Sequence, residues 1–270
     1  MECVVSPPLP TNQTPGTQVA SHEVQVRNLA VLNQPIWNSL RTEHRSFAQS
    51  DASANPLAIR YPAAIGPLSG IVNQNPDSYQ ALRTLAGPGG VVGLFLEDAP
   101  AIPSGWTLVR DGLLDQMILR PGAEAIWPGE ENSTSIRQLS SADVPEMVAL
   151  ATLTEPGPFN ERTIELGKFY GFFENGRLLA MAGQRMHLPH HVEVSAVCTH
   201  PDGRRRGLAR TLMIKAMREI LSRGKTPFLH AFSHNHSAIR VYKDLGFTLR
   251  RTLNLAILRN EDQGQENQGQ

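Results

Sequence analysis

The chain has 270 residues, of which 40% are hydrophobic, enough to bury one large core or two modest ones. Its 25 Lys and Arg equal its 25 Asp and Glu, which leaves no general basic surplus for nucleic acid or an anionic membrane surface. Two cysteines, Cys3 and Cys198, make no disulfide framework. The N-terminus lacks the basic start and apolar run of a secretory signal, and no apolar stretch nears the roughly 18–20 residues that span a bilayer. The expectation is a soluble cytoplasmic protein with no nucleic-acid or membrane partner.

Residues 1–30 are rich in Pro, Thr, Gln and Ser, and residues 261–270 read EDQGQENQGQ. Both carry too little apolar surface to offset the entropy of ordering, which predicts disordered tails. Residues 31–130 form a first block. It offers helices at 37–48 and 77–85, a strand at 91–96 after the turn Gly87-Pro88-Gly89-Gly90, and two short strands at 106–109 and 116–119. Residues 120–132, RPGAEAIWPGEEN, hold two Pro-Gly pairs and several acids and read as a linker.

Residues 131–260 form a second block with clearer punctuation. Ser140-Ser141-Ala142-Asp143 precedes an apolar-periodic run to Leu153, a capped helix. After the proline-containing break at 154–160 comes a short helix at 161–166. Segments 168–173 and 178–186 flank Glu174-Asn175-Gly176-Arg177, and Asn-Gly between apolar runs predicts a hairpin. A strand at 191–199 precedes a helix at 207–223, in which Leu208, Leu212, Ala216 and Ile220 share one face with Met213, Met217 and Leu221. A strand at 227–232, a helix at 237–245 stopped by Gly246, and a strand at 247–258 complete the block. The order predicts an α/β fold with a mixed sheet, built around a central strand–loop–helix unit.

That unit reads VEVSAVCTHPDGRRRGLARTLMIKAMREI. Its helix begins just after Arg204-Arg205-Arg206-Gly207, where open backbone N–H groups and the positive dipole end favour an anion. Gly207 and Ala209 leave room for a phosphate to approach the backbone. No G-x-x-x-x-G-K-[ST] and no G-x-G-x-x-G after a strand occurs, which sets aside P-loop and dinucleotide folds.

Arg204-x-x-Gly207-x-Ala209 resembles the Q/R-x-x-G-x-G/A signature of the GNAT superfamily of N-acetyltransferases. Asn235-x-x-Ala238-x-x-x-Tyr242-x-x-x-Gly246-Phe247 resembles its second signature, and Val197-Cys198-Thr199-His200-Pro201 its splayed strand. The resemblance spans residues 136 to about 251. It implies a GNAT acyl-CoA N-acyltransferase fold, preceded by a smaller α/β domain, with acetyl-CoA as co-substrate and no metal. The donor would lie between the strands at 191–199 and 227–232. The backbone of Val197 and Thr199 would pair with the pantetheine arm, and N–H of Val197 or Cys198 would serve the oxyanion. N–H groups of Arg204, Arg205, Arg206, Gly207, Leu208 and Ala209 would hold the pyrophosphate, with Arg210 and Thr211 at the helix start. Asn235 and Ala238 would meet the cofactor arm. Tyr242 would be the acid for the leaving thiolate and Glu193 the base for the amine.

Each of these residues also has a plainer reading. Asn235 is placed to cap a helix, Tyr242 to pack in a core, Glu193 to pair with a basic neighbour, and Arg204–Arg206 to be solvated. Alternation along 191–199 puts Glu193, Ser195 and Val197 on one face. Cys198 lacks the His and Asn partners of a thiol nucleophile, and His230, His234 and His236 lack the ligands that would complete a metal site. His187, His190 and His191 flank a turn and would line a substrate mouth or face solvent. The acceptor site would involve the loop at 154–159, with Glu155 and Phe159. The first block resembles the truncated GNAT-like half that precedes some catalytic GNAT domains. The implied reaction moves an acetyl group to a primary amine, of a small molecule or a peptide, by direct attack in a ternary complex. The enzyme would be a monomer or homodimer. A longer acyl-CoA, or a CoA-binding sensor without turnover, are the alternatives.

Overall fold

The structure is a computed structural model that describes residues 29–51, 53, 55–129 and 135–261. The expected tails lie outside the described residues, apart from Leu29, Ala30 and Glu261. The chain divides into two compact units, Met1–Asn33 and Gln34–Gln270. Only residues 29–33 of the first are described, and every element below belongs to the second.

The second unit opens with α1 (Pro35–Arg41) and a small antiparallel sheet of β1 (Gln49–Ser50), β2 (Ala58–Arg60) and β3 (Ser69–Ile71). Then come α2 (Pro76–Ala86), β4 (Val91–Leu96), β5 (Trp106–Leu119), β6 (Ile136–Gln138) and α3 (Val144–Thr154). The chain continues through β7 (Phe169–Glu174), β8 (Arg177–His187), β9 (His191–Thr199), α4 (Leu208–Ser222), β10 (Thr226–Phe232), α5 (His236–Asp244) and β11 (Phe247–Asn260). Eight strands form one mixed sheet in the order β4-β11-β5-β10-β9-β8-β7-β6. β9 and β10 run parallel, and the other neighbours pair antiparallel. The sheet passes through the boundary expected near residue 130, because β11 inserts between β4 and β5. Among the described residues no helix is long and apolar enough to cross a membrane.

Local chemistry explains the elements that position the site. Asn175 (φ 50°) and Gly176 (φ 78°) close the β7–β8 hairpin with the two positive φ angles that such a turn requires. Ser140 and Asp143 cap the turn leading into α3 reciprocally, and Arg137 grips the same Asp143 carboxylate at 2.6 Å. The apolar stripe of α4 packs on one face of the sheet against Val192, Val194, Ala180, Ala182 and Leu229. α3 packs on the other face against Phe169, Leu178, Met181, Ala196 and Cys198. Covered on both sides, β8 reads as a nearly unbroken buried run.

Four expectations change. The helix expected at 37–48 is α1, which stops at Arg41, followed by a separate 3-10 turn at Arg45–Phe47. The two short strands at 106–109 and 116–119 are one strand, β5, held extended by β11 along its whole length. Its middle is mostly exposed, so no alternation marks it in the sequence. The helix expected at 161–166 is a 3-10 turn, Thr163–Leu166. The linker is anchored: Ala123 and Trp127 are buried, and the Trp127 indole N–H donates to Leu245 O at 2.9 Å.

Gly183 on β8 is a close-approach position, since a Cβ there would lie 2.1 Å from the ring of Phe169. Gly183→Ala should therefore destabilise the fold by about 1–3 kcal/mol through overpacking. The urea midpoint would fall at an unchanged m-value; an unchanged midpoint would show that the Phe169 ring moves aside freely.

Candidate active site

β9 and β10 share three registered pairs: His191 with Thr226, Val192 with Pro227 and Glu193 with Phe228. Past Glu193 they diverge. β9 continues to Thr199 along β8, and β10 continues to Phe232 along β5. A bulge accompanies the divergence. Between Ser195 and Cys198, β9 spends three steps against two on β8, from Gly183 to Met181, and Ala196 takes up a left-handed φ of 52°. Such an extra residue bends a strand away from a partner, and a left-handed alanine is strained backbone that the surroundings must hold. The bulge also resets the alternation. Val197 packs on the α4 side with Val192 and Val194, whereas Ala196 and Cys198 face α3. The expectation that Val197 shares a face with Glu193 thus fails at the bulge.

The open end of β9 runs directly into the loop before α4. A 3-10 turn at Pro201–Gly203 leads to Arg204, which is extended, and then Arg205 (φ 61°) and Gly207 (φ 75°) both enter the left-handed region. Gly207 is the N-cap of α4 and supplies no side-chain cap, and the first turn carries no acid. The N–H groups of Leu208, Ala209 and Arg210 are thereby left open to an anion, while Thr211 N–H already bonds Gly207 O at 3.1 Å. Leu208 is buried, so only its backbone is available. Arg206 turns away to Glu174 at 2.6 Å. Arg204 and Arg205 are exposed and make no ion pair among the described residues.

At the closed end stands a buried polar chain that sequence reading did not find. Glu193 accepts from Arg185 Nε and Nη2, both at 2.7 Å, and lies 2.8 Å from His230 Nδ1. His230 Nε2 is 3.0 Å from Gln116 Nε2, and Gln116 Oε1 accepts from Arg250 at 2.7 Å. That last bond fixes the Gln116 amide, so its NH₂ donates to His230 and the histidine proton sits on Nδ1 facing Glu193. Burial opposes the Glu193 charge, but Arg185 and His230 outweigh it and hold the carboxyl down to about 2. Glu193 is therefore ionised and a weak proton acceptor; it pairs with a basic neighbour. The signal for this in the sequence is only the mid-strand glutamate, because its partners lie on other strands.

Tyr242, on α5, is half-buried with its ring 6.3 Å from Phe247, edge-on. Its hydroxyl has no hydrogen-bond partner among the described residues, and burial pushes the phenol up to about 12, so it keeps its proton at neutral pH. Asn235 Oδ1 caps α5, accepting from Ala238 N–H at 3.2 Å, which leaves its NH₂ unspent. Cys198 is buried, and burial raises its thiol to about 11, as suits a packed cysteine rather than a nucleophile. Glu155 ends α3 in a left-handed conformation (φ 47°) and is exposed, whereas Phe159 packs edge-on against Phe169 at 5.7 Å. Of the histidines expected at a mouth or in solvent, only His190 is exposed; His191 is buried and His187 stacks on His44 at 4.9 Å.

The family described as FR47-like protein matches residues 169–255. A protein of Novosphingobium aromaticivorans described as a GNAT-family acetyltransferase is 38% identical, with a TM-score of 0.74 over 85% of this chain and 98% of that one. The chain belongs to the GNAT family. A Drosophila protein (13% identity, TM-score 0.62, 89% of this chain and 96% of that one) shares the fold. So does a GCN5-related N-acetyltransferase of Kribbella flavida (15%, 0.52, 92% and 96%). No curated protein sequence matches. Membership in the GNAT family supports acyl transfer as the activity, and the mixed sheet is the GNAT fold.

Two predictions follow from the buried groups of this GNAT sheet. Glu193→Gln leaves the Arg185 charge buried without its counter-ion, and should cost about 3–5 kcal/mol in urea unfolding. A change below about 1 kcal/mol would mean that water reaches Arg185. Burial lowers His44 to about 4, His187 to about 3 and His191 to about 4, against 6.5 when unfolded. The folded state thus binds fewer protons. This stabilisation is complete above pH 6.5 and is lost as the pH falls toward 4 and 3. The urea midpoint should decline steadily across that window; a flat profile would mean that these rings are solvated.

Proposed function

We propose that the chain transfers an acetyl group from acetyl-CoA to a primary amine, of a small molecule or a peptide, by direct attack in a ternary complex. One observation carries this reading. The Ala196 bulge and the divergence of β9 from β10 lead without interruption into the open N–H groups at the start of α4. That arrangement suits a thioester whose long arm pairs with a strand edge and whose pyrophosphate ends on a helix. The description of the Novosphingobium relative as an acetyltransferase supports it.

In this reading the backbone of Val197 and Thr199 pairs with the amides of the pantetheine arm, which need partners as any peptide group does. The N–H groups from Arg205 to Arg210 receive the pyrophosphate, bordered by Arg204 and Thr211, whose own N–H groups are spent on Pro201 O and Gly207 O. Asn235, through its NH₂, and Ala238 border the arm. N–H of Val197 or Cys198, re-aimed by the bulge, stabilises the oxyanion as the amine attacks the thioester carbonyl. Tyr242 faces the leaving sulfur, where an O–H donor stabilises the thiolate and supplies its proton. The base role of Glu193 narrows. A carboxylate held by Arg185 and His230 and closed off from solvent does not take the amine proton itself, which leaves to water. Glu155 and Phe159 border the acceptor side. The first block binds no donor and completes that side.

A second reading draws on the same ion pair. A Glu193 neutralised by Arg185 is also what a CoA-binding sensor without turnover would tolerate. Calorimetric titration with acetyl-CoA, followed by thiol release across an amine panel, separates them: binding without release on any amine selects the sensor, and no binding removes both. Substituting Tyr242→Phe should lower kcat by about 100-fold while leaving acetyl-CoA affinity within about twofold. An unchanged kcat would leave Tyr242 as a core aromatic.

A further inference from the structure

Direct attack on a thioester needs a group that takes the proton of the amine, and the apex of the opening does not supply one. Glu193 is buried and held ionised by Arg185 and His230. His230 is itself occupied at both ring nitrogens, Nδ1 by Glu193 and Nε2 by Gln116. The proton therefore needs another carrier on its way to water. That carrier has to stand on the face of the sheet opposite α4, where α3 and Phe159 of the following loop pack.

β10 brings such a group to that face at its end. Leu229 and Ala231 pack toward α4, so alternation turns His230 and Phe232 to the opposite side, with Glu193. Glu193 is in register with Phe228. Phe232 lies as far along β10 from Phe228 as Val197 lies along β9 from Glu193. Less the step that the bulge consumes, Phe232 stands across the opening from the N–H groups that would serve the oxyanion. Its ring is a built platform. A Cβ at Gly112 would come within 3.2 Å of it, so the bare backbone of β5 makes room for the ring. The Arg110 guanidinium lies 4.6 Å from its centroid. His234 stacks on it, with centroids 5.2 Å and planes 27° apart. The His234 side chain is exposed and makes no hydrogen bond or ion pair among the described residues, so both ring nitrogens are open, unlike those of His230.

We propose that His234 is the base of the transfer. The proposal rests on the acyl-transfer reading and adds the residue that takes the proton. The amine nitrogen bonds to the thioester carbonyl carbon, and its proton passes to an open imidazole nitrogen of His234. The tetrahedral intermediate then collapses. The C–S bond breaks, and the sulfur keeps the electron pair and takes the Tyr242 proton. The proton on His234 passes to water, and water restores that of Tyr242, so that amide and free thiol leave an unchanged enzyme. Phe232 acts as a positioning residue that fixes the imidazole plane.

The test uses the full chain. Acetylated product is read across the amine panel, with hydroxylamine as the common probe because its size demands no acceptor pocket. No product from the wild-type chain with any of them removes the acyl-transfer reading and this proposal together. His234→Gln should lower kcat by about 100-fold or more. Acetyl-CoA affinity by calorimetry should stay within about twofold and the urea midpoint should not move, since the side chain is exposed. Added imidazole should restore product formation in His234→Ala and not in Tyr242→Phe, a rescue that a merely structural histidine would not show. Thiol release with imidazole alone corrects for its own acetylation. Phe232→Leu should lower kcat by about 10-fold, and Phe232→Tyr, which keeps the platform, should restore it. An active wild type with full kcat in His234→Gln, a loss that imidazole leaves unchanged, or a loss found in Glu155→Gln instead, overturns the proposal and leaves acyl transfer standing.

Discussion

The carboxylate of Glu193 is the point on which the sheet turns. It is the last β9 residue in register with β10, and it is buried between an arginine from β8 and a histidine from β10. Gln116 of β5 and Arg250 of β11 extend the chain of hydrogen bonds, so that five neighbouring strands, β8-β9-β10-β5-β11, contribute one polar side chain each. The row crosses the strands and ties them where the opening begins. Closed below Glu193 and bent open above it by the Ala196 bulge, the two parallel strands can be held apart without the gap spreading through the sheet.

Such a row adds little to stability over a well-packed apolar one, since desolvating the ions offsets most of their attraction. Its value is in register. A slip of one residue would turn every side chain of a strand to the opposite face, placing Glu193 against the apolar stripe of α4 and leaving Arg185 buried alone. Each partner is satisfied in only one alignment, and that alignment sets the bulge and the loop at fixed places. The chemistry proposed for Val197–Thr211 is mostly backbone chemistry, so its accuracy would depend on register more than on its own side chains.

The sequence announces this site unevenly. α4 is legible from its apolar stripe, the hairpin from Asn175-Gly176, and the loop proposed for the anion from Arg204, Gly207 and Ala209, because each is a local pattern with a local cause. The bulge is hidden: VEVSAVCT alternates smoothly, and nothing marks Ala196 as the residue that leaves the extended region. The polar row is hidden too, since residues 116, 185, 193, 230 and 250 meet only after the sheet has formed. Trp127 looked like part of a linker because its anchor, Leu245 O, is a backbone atom far along the chain. The same applies to Phe95 and His230, whose rings lie 4.8 Å apart. Periodicity reports which face is buried, and only the assembled sheet reports what meets there.

One further consequence concerns the two halves. An opening between parallel strands persists only if each lip is held from behind. β9 is backed by β8, a neighbour in the chain. β10 is backed by β5, from the first half, over Leu114–Ile118, and β5 is in turn gripped by β11, which also pairs with β4. Without β5, β10 would be an edge strand with one row of unpaired amides, and its simplest satisfaction would be to zip along the rest of β9. The first half therefore keeps the cleft open mechanically, whatever else it binds. That requirement accounts for the return of β11, the last strand among the described residues, to lie between β4 and β5 rather than at the edge of its own half.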